Sequence, residues 1–203
     1  MSTGYQGIQT PGSGASEFSA HAFLVRSILS RIATTTLVQV KAVTNAGGVS
    51  PVGFVDIQPL VNQVDGEGNA VPHGTIFRCP YFRLQGGSNA IIIDPQVGDI
   101  GAAIFASRDL SSVIATRVVA NPGSGRTFDM SDGLYLGGYL GPTPTQFVQF
   151  SAAGITITSP TAIQINAPTT TFTGKVIANG HRIDESHTHG GITPGGAITA
   201  PVT

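Results

Sequence analysis

Two of the five histidines in this sequence, His187 and His189, lie one residue apart near its C-terminal end, in the run ESHTHGG. Side chains two positions apart on an extended strand face the same side, so one chain would present two imidazoles together. If three chains met on a common axis, six imidazoles would converge. Such an octahedral set suits iron or another first-row transition ion rather than tetrahedral zinc. In the alternative interpretation, the two side chains are simply solvated in a glycine-rich tail.

Catalytic roles for these histidines fit the sequence less well. A facial-triad oxygenase combines two His with a carboxylate, and no acidic residue follows His189. A cupin-type site would need a downstream Glu and a further His, and residues 190–203 contain neither. The pair is therefore better suited to holding a structural metal ion than to performing a reaction.

Other catalytic signals are weak. Four acidic residues could pair for general acid chemistry, but they stand in turn-like runs, FDMSDG and RIDES, where acids usually cap or are solvated. They are Asp129, Asp132, Asp184 and Glu185. The single cysteine, Cys79, cannot form an intrachain disulfide and is expected to be a small buried hydrophobe. We expect no enzymatic activity.

The composition limits what kind of protein could position the histidines. With 203 residues and 40% hydrophobic content, the chain can bury one core of ordinary size and carry an extension. Charged residues make up only 10% of the chain and 27 residues are glycine, which is a poor composition for helical surfaces. The 10 basic residues balance 11 acidic ones, so we expect no nucleic-acid partner. The polar first residues carry no readable secretory signal, and we expect synthesis in the cytoplasm.

Two kinds of sequence precede the C-terminal part. Residues 1 to about 15 are polar and glycine-rich and predict a flexible arm, and apolar residues spaced by three and four predict a helix from Ser16, its N-cap, to about Ile32. From Thr34 to about Gly141, short strand-like runs alternate with glycine-rich turns, which predicts a small antiparallel barrel. The predicted strands are TTTLVQVKAV, VGFVDIQPLV, TIFRCPYFRL, AIIID, DIGAAIFA and VIATRVV.

An eight-residue repeat runs from Phe147 to Ala178. Its second and third rows, ITITSPTA and IQINAPTT, share Ile at positions one and three and Pro at position six, and the first and fourth rows keep this frame loosely. A unit this short suits one strand and a turn, so four strands would have one apolar face with almost nothing in the chain to cover it. Three chains sharing one core would bury that face and pair the strand edges. Ordinary strands of a sandwich are the alternative.

Three motifs carry a resemblance to a known family. They are PYFRLQGG, PQVGDIG and the terminal HTHGG, and the similarity covers the chain from about Val25 to its end. In these motifs the sequence resembles the central spike proteins of contractile-tailed bacteriophages.

This resemblance implies an all-β fold with an N-terminal barrel of the oligonucleotide/oligosaccharide-binding (OB) type, followed by a trimeric intertwined β-helix with a pointed metal-bound apex. It also implies that His187 and His189 from each of three chains bind one iron ion per trimer, although imidazole ligands leave nickel and cobalt open. The implied divisions are 1–33 for the flexible arm and short helix, 34–141 for the OB-fold barrel, 142–178 for the triple-stranded β-helix and 179–203 for the apex.

The resemblance implies a mechanical function. Such a spike sits on the baseplate hub protein at the tip of the virion tail and pierces the host outer membrane when the sheath contracts. Related spikes in some phages carry an inserted lysozyme domain, for which this chain has neither room nor motif. A receptor- or glycan-binding tail protein without a piercing role is the alternative, and a metalloenzyme using the histidines is a third possibility.

Overall fold

The computed structural model describes residues 11–44, 49, 53–65 and 68–183. The chain divides into two units, residues 1–144 (unit 1) and 145–203 (unit 2). Within the described ranges the protein consists mostly of strands with few helices, which confirms the predicted all-β class. The finer four-part division of the chain stays a prediction.

Unit 1 contains nine strands and two α-helices among its described residues. In chain order they are α1 (Glu17–Leu29), β1 (Thr35–Val43), β2 (Phe54–Pro59), β3 (Gln63–Val64), β4 (Ala70–Val71), β5 (Ile76–Pro80), β6 (Leu84–Gly86), β7 (Asn89–Ile91), β8 (Ile100–Phe105), α2 (Ser111–Thr116) and β9 (Gly133–Gly138). Short 3-10 helices occupy Pro11–Gly14 and Met130–Asp132.

Five of these strands form one curled sheet with the order β5-β2-β1-β8-β9, and every neighbouring pair is antiparallel. Buried and more exposed side chains alternate along β1 and β2, because side chains two positions apart on a strand share a face. The buried side chains form the core. Val38 and Val40 of β1 and Val55 and Ile57 of β2 are fully buried. The remaining core residues are Cys79, Ala103, Phe105 and Tyr135.

The two edge strands of this sheet come together through Tyr135 on β9. The backbone N–H of Phe82, just after β5, donates to the carbonyl oxygen of Tyr135 at 2.8 Å, and Tyr81 and Tyr135 form a parallel bridge. The Tyr135 side chain is buried in the core, where the aromatic ring fills the space between the sheet's curled ends. Burial, with a smaller contribution from Asp99, raises the pKa of the Tyr135 hydroxyl.

Helix α1 begins where the sequence predicts, because the Ser16 side chain accepts a hydrogen bond from the backbone N–H of Ser19 and so caps the first turn. None of its residues is buried. Phe18, at 81% exposure, and Val25 and Leu29 keep their apolar side chains at the surface. The helix prediction is therefore confirmed, and the apolar stripe has no partner within the described part of unit 1.

One strand prediction in unit 1 is wrong, and one strand of the sheet was not predicted. The run VIATRVV, expected to be a strand, begins inside helix α2, because Asp109 and Asp132 bind the backbone N–H groups of Ser111 and Leu110 and start a helical turn there. The strand that completes the sheet is instead β9, whose sequence GLYLGG was not predicted as a strand. Its three glycines lower its strand propensity, and pairing with β8 overrides that local preference.

Unit 2 contains four short strands among its described residues: β10 (Phe147–Ser151), β11 (Gly154–Thr158), β12 (Ile177–Ala178) and β13 (His181–Arg182). They form two separate antiparallel hairpins, β10-β11 and β12-β13. The first two rows of the repeat thus become one hairpin. The prediction of a strand in every row is wrong for this chain by itself, since residues 159–176 contain none. A strand needs a neighbour for its backbone groups, and no described strand lies beside this segment.

The close approach of β8 to β9 requires glycine at position 101, where an added Cβ would meet the backbone oxygen of Gly137 and the ring of Tyr135. We expect Gly101→Ala to destabilise the protein by about 1–3 kcal/mol, because neither neighbour can move without opening the sheet. Its register partner Gly138 provides the matched control, since the nearest atom to a Cβ there is the Ile100 oxygen at an ordinary 3.8 Å. Urea unfolding followed by circular dichroism measures both variants. Equal midpoints would contradict the proposed steric role of Gly101.

Candidate functional site

The predicted metal ligands His187 and His189 lie outside the described residues, as do Asp184 and Glu185. His181, which precedes them, is exposed on β13. Among the residues that the structure describes, no group of three or more His, Cys, Asp or Glu side chains could hold a metal ion. The metal prediction stays a prediction.

The main surface feature of unit 2 is an apolar face on the β10-β11 hairpin. Register pairs Val148 with Ile157 and Phe150 with Ile155, so all four side chains lie on one face. They are between 57% and 76% exposed. The opposite face carries Gln149 and other polar side chains of the same strands, together with Phe147 at the start of β10. The alternation predicted from the sequence is therefore present, and no described part of the chain covers the apolar face.

This exposure continues along the strandless segment that follows. Ile163 and Ile165, two residues apart in the third row of the repeat, are 57% and 65% exposed. No residue between 145 and 183 is buried. An isolated two-stranded hairpin is at best marginally stable in water, and contiguous exposed apolar surface indicates an interaction site. The described part of unit 2 thus has the properties of an interaction surface.

Two of the acidic residues considered for catalysis, Asp129 and Asp132, accept hydrogen bonds from backbone N–H groups of unit 1. Asp132 is 3% exposed, accepts the backbone N–H of Leu110 at 3.0 Å and forms an ion pair with Arg126 at 3.1 Å. Asp129 caps the following 3-10 helix by accepting the backbone N–H of Ser131 at 2.8 Å, and that hydrogen bond lowers its pKa. Both carboxylates hold loops in place, which agrees with the capping role that their turn-like sequence indicates.

Arg126 joins Asp132 to a second buried carboxylate, Asp109, at 3.1 Å. Asp109 also accepts the backbone N–H of Ser111 at 2.8 Å and the hydroxyl of Ser124 at 2.6 Å. The hydrogen bonds from Ser111 and Ser124, with Arg126 nearby, lower the pKa of Asp109 to about 2. This cluster holds the start of α2 and the long loop before β9 in place, so its role is structural.

Cys79 lies in the core at 1% exposure, and burial, aided by the charge of Asp56, raises the pKa of its thiol to about 12. The thiolate is the nucleophilic form of cysteine, and a thiol with this pKa stays protonated at neutral pH. The prediction of a small buried hydrophobe is confirmed.

A second polar group, formed by Tyr81, Arg83 and Asp94, was not predicted. The Tyr81 hydroxyl donates to Asp94 Oδ1 at 2.7 Å, and the Arg83 guanidinium donates to the same oxygen at 2.6 Å and to the Tyr81 oxygen at 3.0 Å. Burial and the bond to Asp94 raise the pKa of Tyr81, and the bond to Asp94 raises that of Arg83. The only sequence signal is the spacing of Tyr81 and Arg83, two positions apart. Their common partner lies more than ten residues further along the chain and becomes apparent only in the fold.

Comparisons with known proteins do not identify this chain. No protein-family model matches it, and no curated protein matches it either. No helix in the described ranges is both long enough and apolar enough to cross a bilayer.

The pKa of Asp109 generates a prediction about stability. Its folded pKa of about 2 lies below the ordinary 3.8, so the carboxylate stabilises the fold above pH 4 and this contribution is lost as the pH falls toward 2. We expect Asp109→Asn to lower the thermal midpoint at pH 6 and the gap from the unmodified protein to narrow toward pH 2. Thermal unfolding by circular dichroism between pH 6 and 2 measures this gap. Glu17→Gln, in the exposed first turn of α1, is the control and should leave the curve unchanged. A gap of the same size at pH 2 and pH 6 would contradict the assignment.

Proposed function

We propose that this chain is the cell-puncturing spike of a contractile phage tail, a homotrimer that sits on the baseplate hub at the virion tail tip and crosses the host outer membrane when the sheath contracts. The observation that carries the proposal is the one-sided apolar surface of unit 2. The resemblance of PYFRLQGG, PQVGDIG and HTHGG to phage spike proteins supplies the biological context. In this function the chain is a mechanical part and not an enzyme.

The proposed role of unit 1 is an OB-type barrel that joins the spike to the hub. In its sheet the fourth long strand, β8, returns to lie beside the first, β1, which is the strand order of a Greek key. The fifth, β9, lies beside β8 and meets β5 at the Tyr81–Tyr135 bridge. Five strands in a partly open Greek-key barrel are the description of an OB fold, so strand count, order and the meeting of the edges support this assignment.

The proposed role of unit 2 is one third of a triple-stranded β-helix. Covering the face made by Val148, Phe150, Ile155 and Ile157 with the same face of two other copies would remove apolar surface from water at about 25 cal/mol per Å². Strands from those copies would also give Ile163 and Ile165 the neighbours that the single chain lacks. A repeat with a small number of charges and a shared core would resist bending, as a puncturing device requires.

The proposed apex holds one iron ion through His187 and His189 of each chain. Neutral imidazole nitrogens are good ligands for first-row transition ions, and three chains would supply six of them. The bound ion would supply structural cross-linking, joining three chain ends at a point where the apolar repeat has ended. The chain's own contribution is the placement of two histidines on alternate positions of an HTH run.

The histidine pair of the apex can be tested by substitution. We expect His187→Ala/His189→Ala to remove the metal and leave the trimer assembled, because the apolar repeat and not the ion supplies most of the association energy. Elemental analysis together with light scattering, on protein purified without a polyhistidine tag, measures both properties. His181→Ala is the matched control, since His181 is outside the HTH motif, and should keep about one iron per three chains. A double variant that retains stoichiometric iron would contradict the proposed ligands.

The second prediction concerns the apolar face. Replacing Ile155 and Ile157 by Thr keeps the branched shape and strand propensity but places hydroxyls in the shared core, so we expect each chain to lose about 2 kcal/mol or more. The midpoint of urea-induced dissociation, followed by light scattering, should fall accordingly. The control Gln149→Thr/Thr156→Ser changes the opposite face of the same hairpin and should leave the midpoint in place. Equal shifts of the dissociation midpoint in the two variants would contradict the proposal, which requires the apolar face to make the contacts between chains.

A further inference from the structure

A cavity of about 230 Å³ opens in unit 1 beside the Tyr81–Arg83–Asp94 group. Its apolar walls are Phe54, Pro80 and Ile114, which come from β2, β5 and α2. Its polar side chains are Arg83, Gln85 and Arg117. The cavity therefore combines an apolar lining with two guanidinium groups.

The charge balance of this cavity is positive. No carboxylate is among its described lining residues, and the lining residue Arg83 is ion-paired with Asp94 at 2.6 Å. Arg117 takes part in no ion pair among the described residues, and it is exposed at the end of α2. An anion entering the cavity would meet a guanidinium whose charge is not already neutralised by a carboxylate.

Arg117 is one of five described residues other than glycine that have a positive φ, and it is the one that lines the cavity. Arg117 ends α2 in the left-handed conformation, with φ at 58°, and its N–H donates to the carbonyl oxygen of Val113 at 2.7 Å. Helices that end this way usually have glycine at that position, because a side chain there is strained. Strain at a residue that lines a cavity is typical of functional positions.

The opposite wall of the cavity is rigid before any ligand arrives. Tyr81 lies so close to the backbone of Gly53 that a Cβ at that position would overlap its ring. At the same end of the ring, the Tyr81 hydroxyl donates to Asp94 and accepts a hydrogen bond from Arg83. A preformed wall reduces the entropy that is lost when a ligand binds.

We propose that this cavity binds one carboxylate side chain of a partner protein, preferably glutamate, with Arg117 as the charged ligand. A guanidinium pairs with a carboxylate through two parallel hydrogen bonds, and the methylene groups of glutamate suit the walls formed by Phe54, Pro80 and Ile114. The volume is below the 300–1,000 Å³ or so of ordinary small-molecule sites and suits a single side chain. A sugar acid fits less well, because the uncharged polar side chains among the described lining residues are Gln85 and Tyr81, and the Tyr81 hydroxyl is already hydrogen-bonded to Asp94.

The test is ligand-observed saturation-transfer NMR on the full chain with N-acetyl-L-glutamate as the probe and N-acetyl-L-glutamine as its neutral counterpart. We expect saturable transfer to the glutamate methylene protons in the millimolar range and little transfer to glutamine. Arg117→Gly should weaken binding about tenfold or more, since it removes the charged ligand. This variant should also fold at least as well as the unmodified protein, because glycine relieves the left-handed strain.

The matched control is Arg108→Gln, which removes an exposed arginine of unit 1 that does not line the cavity and should leave binding unchanged. Equal transfer to glutamine, or full binding by the folded Arg117→Gly variant, would overturn the proposal. Tighter binding of D-glucuronate than of N-acetyl-glutamate would also overturn it, in favour of a sugar ligand. Because the probe contacts unit 1 alone, the result does not depend on whether the chain forms a spike.

Discussion

The apolar face of a strand is stable only when other apolar side chains cover it. The two units of this protein differ in whether their described residues provide that cover. In unit 1 the five-stranded sheet curls on itself, so the apolar faces of β1 and β2 cover those of β8 and β9. In unit 2 the hairpin β10-β11 has nothing opposite its apolar face within the described residues. The proposed trimer follows from that uncovered face.

Closure of the sheet in unit 1 depends on residues that let neighbouring strands and side chains come close together. Gly101 allows the Tyr135 ring to fill the inside of the sheet, and Tyr135 in turn accepts the backbone hydrogen bond from Phe82 that joins the edges. The loops around this core are fixed by the Asp109–Arg126–Asp132 cluster. The cavity beside Tyr81 and the exposed apolar side chains of helix α1 are surfaces of unit 1 that a partner could contact.

Local sequence patterns predicted part of this arrangement. Alternation found β1, β2, β5 and β8, and the Ser16 cap with its apolar spacing found α1, because these signals act over a few residues. The same rules missed β9, whose strand state depends on pairing with β8, and misassigned VIATRVV, where two aspartates from elsewhere in the fold start a helix. The Tyr81–Arg83–Asp94 group could not be predicted either, since only the folded chain brings Asp94 to the other two. The histidine pair is visible in the sequence but lies outside the described residues.

The shared core of unit 2 is tested most directly by sedimentation equilibrium on the full, untagged chain over a wide range of protein concentrations. A common core made by three copies predicts a single species of three times the 20.8 kDa chain mass, unchanged on dilution until dissociation begins. A species with the mass of one chain at every concentration would contradict it. In that case the apolar hairpin face would need another partner, and the spike function would lose its physical basis.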